Sequence, residues 1–258
     1  MELHAFVLHL TRASSRRANA QSLKAECEAT GGFDAVEIWP AVDGSALSSS
    51  DLSDMVGSGL FQPIYPFPMN PGEIGCFLSH RQIWAEMQMR PAEAALIIED
   101  DAGINPEHFA PALELAAANI NQLGYIQLQT RNIPGMAAMT DTNGPCRLTV
   151  PQESGLRTTA QVVSKQAAAH LLRLSEAIDR PVDTFVQSHW HTLLRAGVIH
   201  PSGVSDLEAK LNGSTIQIGK KSIFEVMGRE VSRARYRKMV TRLSRRSAAP
   251  RSGGIGDG

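Results

Sequence analysis

The chain has 258 residues, 25 Lys and Arg against 26 Asp and Glu, a formal net charge of −1, 43% hydrophobic residues and 5% aromatics. That length suits one α/β domain, alone or with an appendage. Balanced charge and few aromatics argue against a stacking platform for nucleic acid, so no nucleic-acid partner is expected.

The opening MELHAFVLHLTRASSRR carries a short apolar run broken by His4 and His9, with its charge after the run. That is not a signal-peptide pattern. Ala5–Leu10 reads as a β-strand. Ser14 or Ser15 is placed to cap a helix that the glycines of "ATGGF" close. Arg12, Arg16 and Arg17 follow the strand, where guanidinium groups suit a pyrophosphate; the plainer alternative is a solvated helix face. "AVEIWPAV" is a second strand, stopped by Pro40 and the Asp43-Gly44 turn, which is either a simple turn or a site acid at a strand end. Residues 45–71 are rich in Ser, Pro and Gly, with a short helix near 49–56. Such an irregular stretch tends to lie over a site.

"NPGEIGCFLSHRQIWAEM" starts a helix at Pro71 or Gly72, with Ile74, Leu78 and Trp84 at roughly helical intervals. Gly72 and Gly75 permit close backbone approach. Ser79 and His80 are polar on an apolar helix, either as a hydrogen-bonded core pair or as pocket residues. A strand over 95–99 then ends in Glu99, Asp100 and Asp101. Alternation in an extended chain predicts Glu99 and Asp101 on one face and Asp100 on the other. Two carboxylates on one face suit Mg²⁺ or Mn²⁺, which would also neutralise the cluster. A strand-end acidic turn that caps the next helix is the structural alternative.

"NPEHFAPALELAAANI" is a helix, "GYIQLQ" and "TTAQVVS" are strands, and "KQAAAHLLRLSEAI" is a helix. "RPVDTFVQSHWHTLLRAG" starts another helix behind Pro181, with Asp183 in its first turn, where the helix dipole favours a carboxylate. His189 and His191 are two apart and chelate poorly. His200, in the short or edge strand "VIHPSG", is a weaker candidate metal ligand. Strands alternating with helices predict an α/β fold with a largely parallel sheet, whose site lies at the C-terminal strand ends. Cys27, Cys76 and Cys146 form no CxxC pair, so neither a zinc site nor a disulfide framework is expected and a reducing, cytoplasmic setting is.

From Arg229 onward lie nine of the 25 basic residues and two of the 26 acids, so the body carries about −8 and the tail about +7. Residues 1–228 read as one catalytic domain. Residues 229–258 read as a basic tail, partly helical and then disordered, able to touch an anionic membrane.

In order, "LHLTRASSRRANA", "WPAVDG", "NPGEIGCFLSHRQIW", "ALIIEDDAGI", "TTAQVVSKQAAAHLL" and "RPVDTFV" resemble glycosyltransferase family 25, over roughly residues 3–200. The most specific parts are "PAVDG", "PGEIGCFLSH" and "LIIEDD". Where the family commonly reads Asn-Leu-Asp-Arg, this chain has His9-Leu10-Thr11-Arg12. The resemblance implies a GT-A type, Rossmann-like sheet, a UDP-sugar donor (often UDP-galactose), a divalent metal (Mn²⁺ or Mg²⁺) and inversion at the anomeric carbon. It implies a glycan or glycolipid acceptor of the lipopolysaccharide kind, met at the inner face of the cytoplasmic membrane. Carried onto this chain, Glu99, Asp100 and Asp101 become the donor and metal site, with Asp101 the principal ligand. Arg12, Arg16, Asp43 and Gly44 lie near the nucleotide, Ser79 and His80 line the pocket, and Asp183 or, less favoured, Asp100 is the catalytic base. Rival readings are a metal-dependent nucleotidyltransferase, which would release pyrophosphate, and a non-catalytic sugar-nucleotide-binding protein.

Overall fold

Every residue of the first strand, Leu3–His9 (β1), is buried, as expected of a strand covered on both faces. In the computed structural model, which describes residues 1–133, 137–207 and 223–256, β1 sits inside an eight-stranded sheet. A 3₁₀ turn, Ser14–Arg16, leads into α1 (Arg17–Thr30), then β2 (Ala35–Pro40), α2 (Ser49–Met55), α3 (Pro71–Met89) and β3 (Ala94–Glu99). β4 (Ala102–Ile104), α4 (Pro106–Leu123) and β5 (Tyr125–Leu128) follow. Next come β6 (Ala137–Asn143), β7 (Cys146–Pro151), β8 (Ala160–Ser164), α5 (Lys165–Leu174), α6 (Val182–Gln187) and α7 (His189–Thr192). The chain continues through β9 (Leu194–Arg195), β10 (Gly197–His200), β11 (Val204–Asp206), α8 (Ile223–Arg246) and β12 (Gly254–Ile255).

The sheet order is β2-β1-β3-β8-β5-β10-β7-β6. β2, β1, β3, β5, β10 and β6 run the same way, while β8 and β7 run against them. The expected α/β architecture with a mostly parallel sheet therefore holds. The "VIHPSG" strand is no edge: β10 lies between β5 and β7, and the β6–β7 hairpin extends the sheet beyond it. Alternation splits the strand side chains between two cores. Ala5, Val7, Leu96 and Ile98 pack with α1 and α4; Phe6, Leu8, Ala95 and Ile97 pack with α3, α5 and α6.

Helix starts follow local chemistry. Asn70 and Glu73 form a reciprocal capping box around Pro71, which fixes where α3 begins. Ser14 and Ser15 do not cap α1; the 3₁₀ turn carries Arg16 inward to an acidic partner, and Arg16 itself occupies the cap position. The single helix expected behind Pro181 is two. The Ser188 hydroxyl bonds the Thr184 carbonyl at 2.8 Å, and Ser188 leaves helical geometry with ψ of 53°.

The tail also departs from expectation. The boundary placed at 228 falls inside α8. Residues 247–256, expected to be disordered, dock on the body. His189 is buried and takes Ser244 and Ser247 as partners, and β12 pairs with β9. Residues 257–258 of the expected disordered segment lie outside the described residues. Among the described residues, no helix is long and apolar enough to cross a membrane.

Candidate active site

A cavity of about 550 Å³ opens where β1, β2 and β3 end, between the N-termini of α3 and α6. Strand C-termini are where an open α/β sheet leaves such a crevice. Arg12, Arg16, Asp43, Gly44, Ser79, Glu99, Asp100, Asp101 and Asp183 all line it. Residues from five separated stretches of sequence thus meet at one place.

The acidic run is not divided as alternation predicts. β3 stops at Glu99, and Asp100 and Asp101 form a turn, so the two-residue period no longer applies. Arg16 Nη1 holds both turn acids, at 3.1 Å from Asp100 Oδ1 and 2.8 Å from Asp101 Oδ2. His9 Nδ1 lies 2.7 Å from Asp100 Oδ2, and the Asn19 amide donates to the Asp100 and Ala102 carbonyls at 2.8 Å each. Glu99 turns the other way. It accepts from Thr158 Oγ1 at 2.6 Å and faces Cys76 and His80 on α3. Burial pushes the Glu99 carboxyl up, but the His80 imidazole, the Thr158 hydroxyl and the Arg16 charge bring it below its ordinary value. Arg16 and the Thr158 hydroxyl offset the repulsion within the run.

The expected metal set of Glu99, Asp101 and His200 does not assemble. His200 lines a second cavity with Asn19, Gly103 and Ser202, whereas Glu99 and Asp101 line the first. Asp101 is held by Arg16, whereas Glu99 faces Thr158 and the Cys76 and His80 side chains of α3. A hard cation bound by all three together does not fit this arrangement.

Arg12 and Asp43 form a pair at the cavity mouth, with Nε 2.6 Å from Oδ2. Hydrogen bonds from Ser45, joined by Arg12, hold the Asp43 carboxyl below the usual range. Gly44 contacts protein: it is buried under α3, and a Cβ there would stand 1.7 Å from the Pro71 carbonyl oxygen. Ser79 ties the same junction, donating to the Gly75 carbonyl at 2.7 Å and accepting from the Val42 amide at 2.8 Å. His80 is fully buried behind Glu99 and does not line the cavity.

Asp183 is on the opposite wall. Its carboxylate accepts from the Thr184 amide at 2.6 Å and the Arg157 amide at 3.2 Å. Burial raises its pKa against those bonds, and the Glu99 charge adds to the rise. Glu73, raised by burial and by Asp183, completes an acidic wall. Arg157, with φ of 94°, is strained into left-handed space and pairs with Asp206 at the rim. The sequence carries no signal for Arg157 or Thr158. Cys76 was legible as the residue four before His80.

The glycosyltransferase family 25 (LPS biosynthesis protein) model matches residues 2–186. The chain belongs to glycosyltransferase family 25. The matched span takes in every predicted site residue except His200 and ends before α7. A glycosyltransferase 25 family member of Aedes aegypti is 39% identical over 106 residues, 40% of this chain and 17% of that one. Procollagen galactosyltransferase 2 of Homo sapiens is 37% identical over 121 residues, 45% of this chain and 18% of that one. The family 25 chain thus spans less than a fifth of the length of these relatives. A solved glycosyltransferase involved in glycosylation of the major capsid of PBCV-1 aligns with a TM-score of 0.37 at 11% identity, over 73% of this chain and 66% of that chain.

Proposed function

We propose that this family 25 member moves a hexosyl group, galactose in the first instance, from a UDP-sugar to a hydroxyl of a lipopolysaccharide or oligosaccharide acceptor, with inversion. The observation that carries this reading is Asp183: a carboxylate in the cavity wall, fixed by two backbone amides and made more basic by burial. Asp183 takes the proton from the acceptor hydroxyl. The freed oxygen attacks the anomeric carbon from the face opposite the diphosphate, and UDP leaves with the bonding electron pair. Glu73, Glu99 and Asp183 provide negative charge around the cavity, which favours an oxocarbenium-like transition state. Arg12, with its side chain 52% exposed at the mouth, is the cation best placed to release Asp43 and meet a diphosphate. The acceptor is lipid-linked, and the basic α8 keeps the enzyme at the inner face of the cytoplasmic membrane.

A UDP-release assay over a panel of UDP-sugars, with calorimetric titration of each donor, tests the reading. Asp183→Asn is expected to lower turnover by about 10²–10⁴-fold while donor affinity stays within twofold, since a general base acts on the transition state. Release of pyrophosphate in place of UDP would support nucleotidyl transfer. Donor binding with no turnover would leave a binding protein.

A further inference from the structure

Cys76 and His80 are four residues apart on α3, so one helical turn brings both to the same face. Glu99, at the end of β3, stands opposite. Cys76 Sγ is 3.8 Å and His80 Nε2 is 4.0 Å from the same oxygen, Glu99 Oε1. All three donor atoms lie within 4.8 Å of one another.

His80 supplies the independent sign of a ligand. It is 0% exposed, and its Nε2 is aimed at this cluster, 4.0 Å from Glu99 Oε1, beyond hydrogen-bond distance of that oxygen or of any other partner among the described residues. Leaving such a group unpaired costs about 1–3 kcal/mol. Its other ring nitrogen lies 3.3 Å from Gln161 Nε2, and Gln161 Oε1 is likewise without a partner. Turning the Gln161 amide by half a rotation would place Oε1 at His80 Nδ1. The proton then sits on Nδ1, and Nε2 presents a lone pair to the cluster, the arrangement that orients a metal-bound imidazole.

We propose that Cys76, His80 and Glu99 form a binding site for a thiophilic divalent cation of the zinc type, with its fourth position open to the cavity. A sulfur, a nitrogen and one carboxylate oxygen match zinc and not the all-oxygen preference of Mg²⁺. Metal–ligand lengths of about 2.0–2.3 Å imply donor separations of about 3.3–3.8 Å in a tetrahedral site, so separations of 3.8 Å, 4.0 Å and at most 4.8 Å must close by up to about 1 Å on binding. On binding, the Cys76 thiol gives its proton to solvent as the sulfur–metal bond forms; His80 and Glu99 each give a lone pair, and nothing is oxidised or reduced. Cys76 and Glu99 line the cavity while His80 lies behind them, so the open position faces the cavity. The site stands independently of the sugar-transfer reading.

The test is titration of the metal-stripped full chain with Co²⁺, followed by Zn²⁺. One Co²⁺ per chain is expected, with a sulfur-to-cobalt charge-transfer band in the near ultraviolet that Zn²⁺ abolishes. Cys76→Ser, confirmed folded by circular dichroism, should lose the band. His80→Gln and Glu99→Gln should each weaken binding at least tenfold, and Cys146→Ser should retain both band and affinity. Absence of the band from the parent chain, its persistence in Cys76→Ser, or its loss in Cys146→Ser would overturn the proposal. No readout involves a sugar donor, so failure here leaves the turnover experiment unaffected.

Discussion

Gly44 lies against the carbonyl of Pro71 so closely that a Cβ would stand 1.7 Å from its oxygen. That contact seats the turn after β2 on the first turn of α3, and Gly75 repeats it with the Val42 carbonyl. The cavity has its shape partly because two helix and turn backbones meet without a side chain between them. Backbone cannot yield as a flexible side chain can, so Gly44→Ala must push α3 and the turn apart. The expected loss is about 3 kcal/mol or more, at the upper end of overpacking costs. At Gly228, inside α8, a Cβ meets nothing within 4 Å, so Gly228→Ala should add up to about 1 kcal/mol through helix propensity. Urea denaturation of the two variants measures the contrast; equal midpoints would refute the close-contact argument.

Arg16 is 8% exposed and neutralises two carboxylates at once. Arg16→Gln leaves Asp100 with His9 and takes the cation from Asp101. Removing one partner of a buried pair costs about 3–5 kcal/mol, because the remaining charge stays desolvated. Lys24→Gln breaks an exposed pair with Glu28 and should cost under about 0.5 kcal/mol. Thermal melts of the two variants separate these cases. A melting point for Arg16→Gln within a degree or two of the parent would show that the turn acids do not depend on Arg16.

The strands, the long helices and the gathering of the acidic run, "PAVDG" and Asp183 at one strand-end cavity were legible because each rests on a local pattern: an apolar run, a helical period, a capping residue. What failed was set by distant contacts. The side-chain direction of Asp101 depends on where β3 stops and on Arg16, 85 positions earlier. His200 was a fair candidate by residue type, yet its place between β5 and β7 sends it to another cavity. Ser79 and Gly44 line the cavity and also hold the junction beneath it, while His80, expected in the pocket, is buried outside its lining. The closing segment looked disordered because its low complexity hides two partners, buried His189 and strand β9.

His189 makes that closing contact pH-sensitive. Burial, aided by the Arg195 charge, lowers its pKa from 6.5 to about 4. Between these values the unfolded chain binds the proton more readily than the folded one, so stability rises with pH across the window. The contribution is complete above about pH 6.5 and is lost as pH falls toward 4. From this group alone, stability should be about 2 kcal/mol lower at pH 5 than at pH 7. His191, lowered mainly by burial, acts in the same direction. Urea denaturation at the two pH values measures the difference. His189→Gln should lower stability at pH 7 and shrink the pH dependence; an unchanged dependence would assign it elsewhere.

Tyr236, Val240 and Ser244 recur every four residues along α8 and form its inner face. The Tyr236 ring is 5.6 Å from that of Tyr65 on the cavity wall, and Val240 and Ser244 are 4% and 1% exposed. Arg235, Arg237, Lys238, Arg242, Arg245 and Arg246 are therefore left outside, all exposed. Deleting the tail from 229 would strip away the inner face along with the charge, so neutralisation is the cleaner test of membrane contact. Full-length protein should float with vesicles containing anionic lipid and stay behind with neutral ones, with flotation falling as salt rises. At about 1 kcal/mol per basic residue near an anionic surface, Arg235→Gln, Lys238→Gln and Arg242→Gln combined should weaken partitioning about a hundredfold. The same variant should keep the melting point of the parent, because none of the three belongs to the inner face. Equal flotation of parent and variant on anionic vesicles would remove the charged face of α8 from any part in membrane contact.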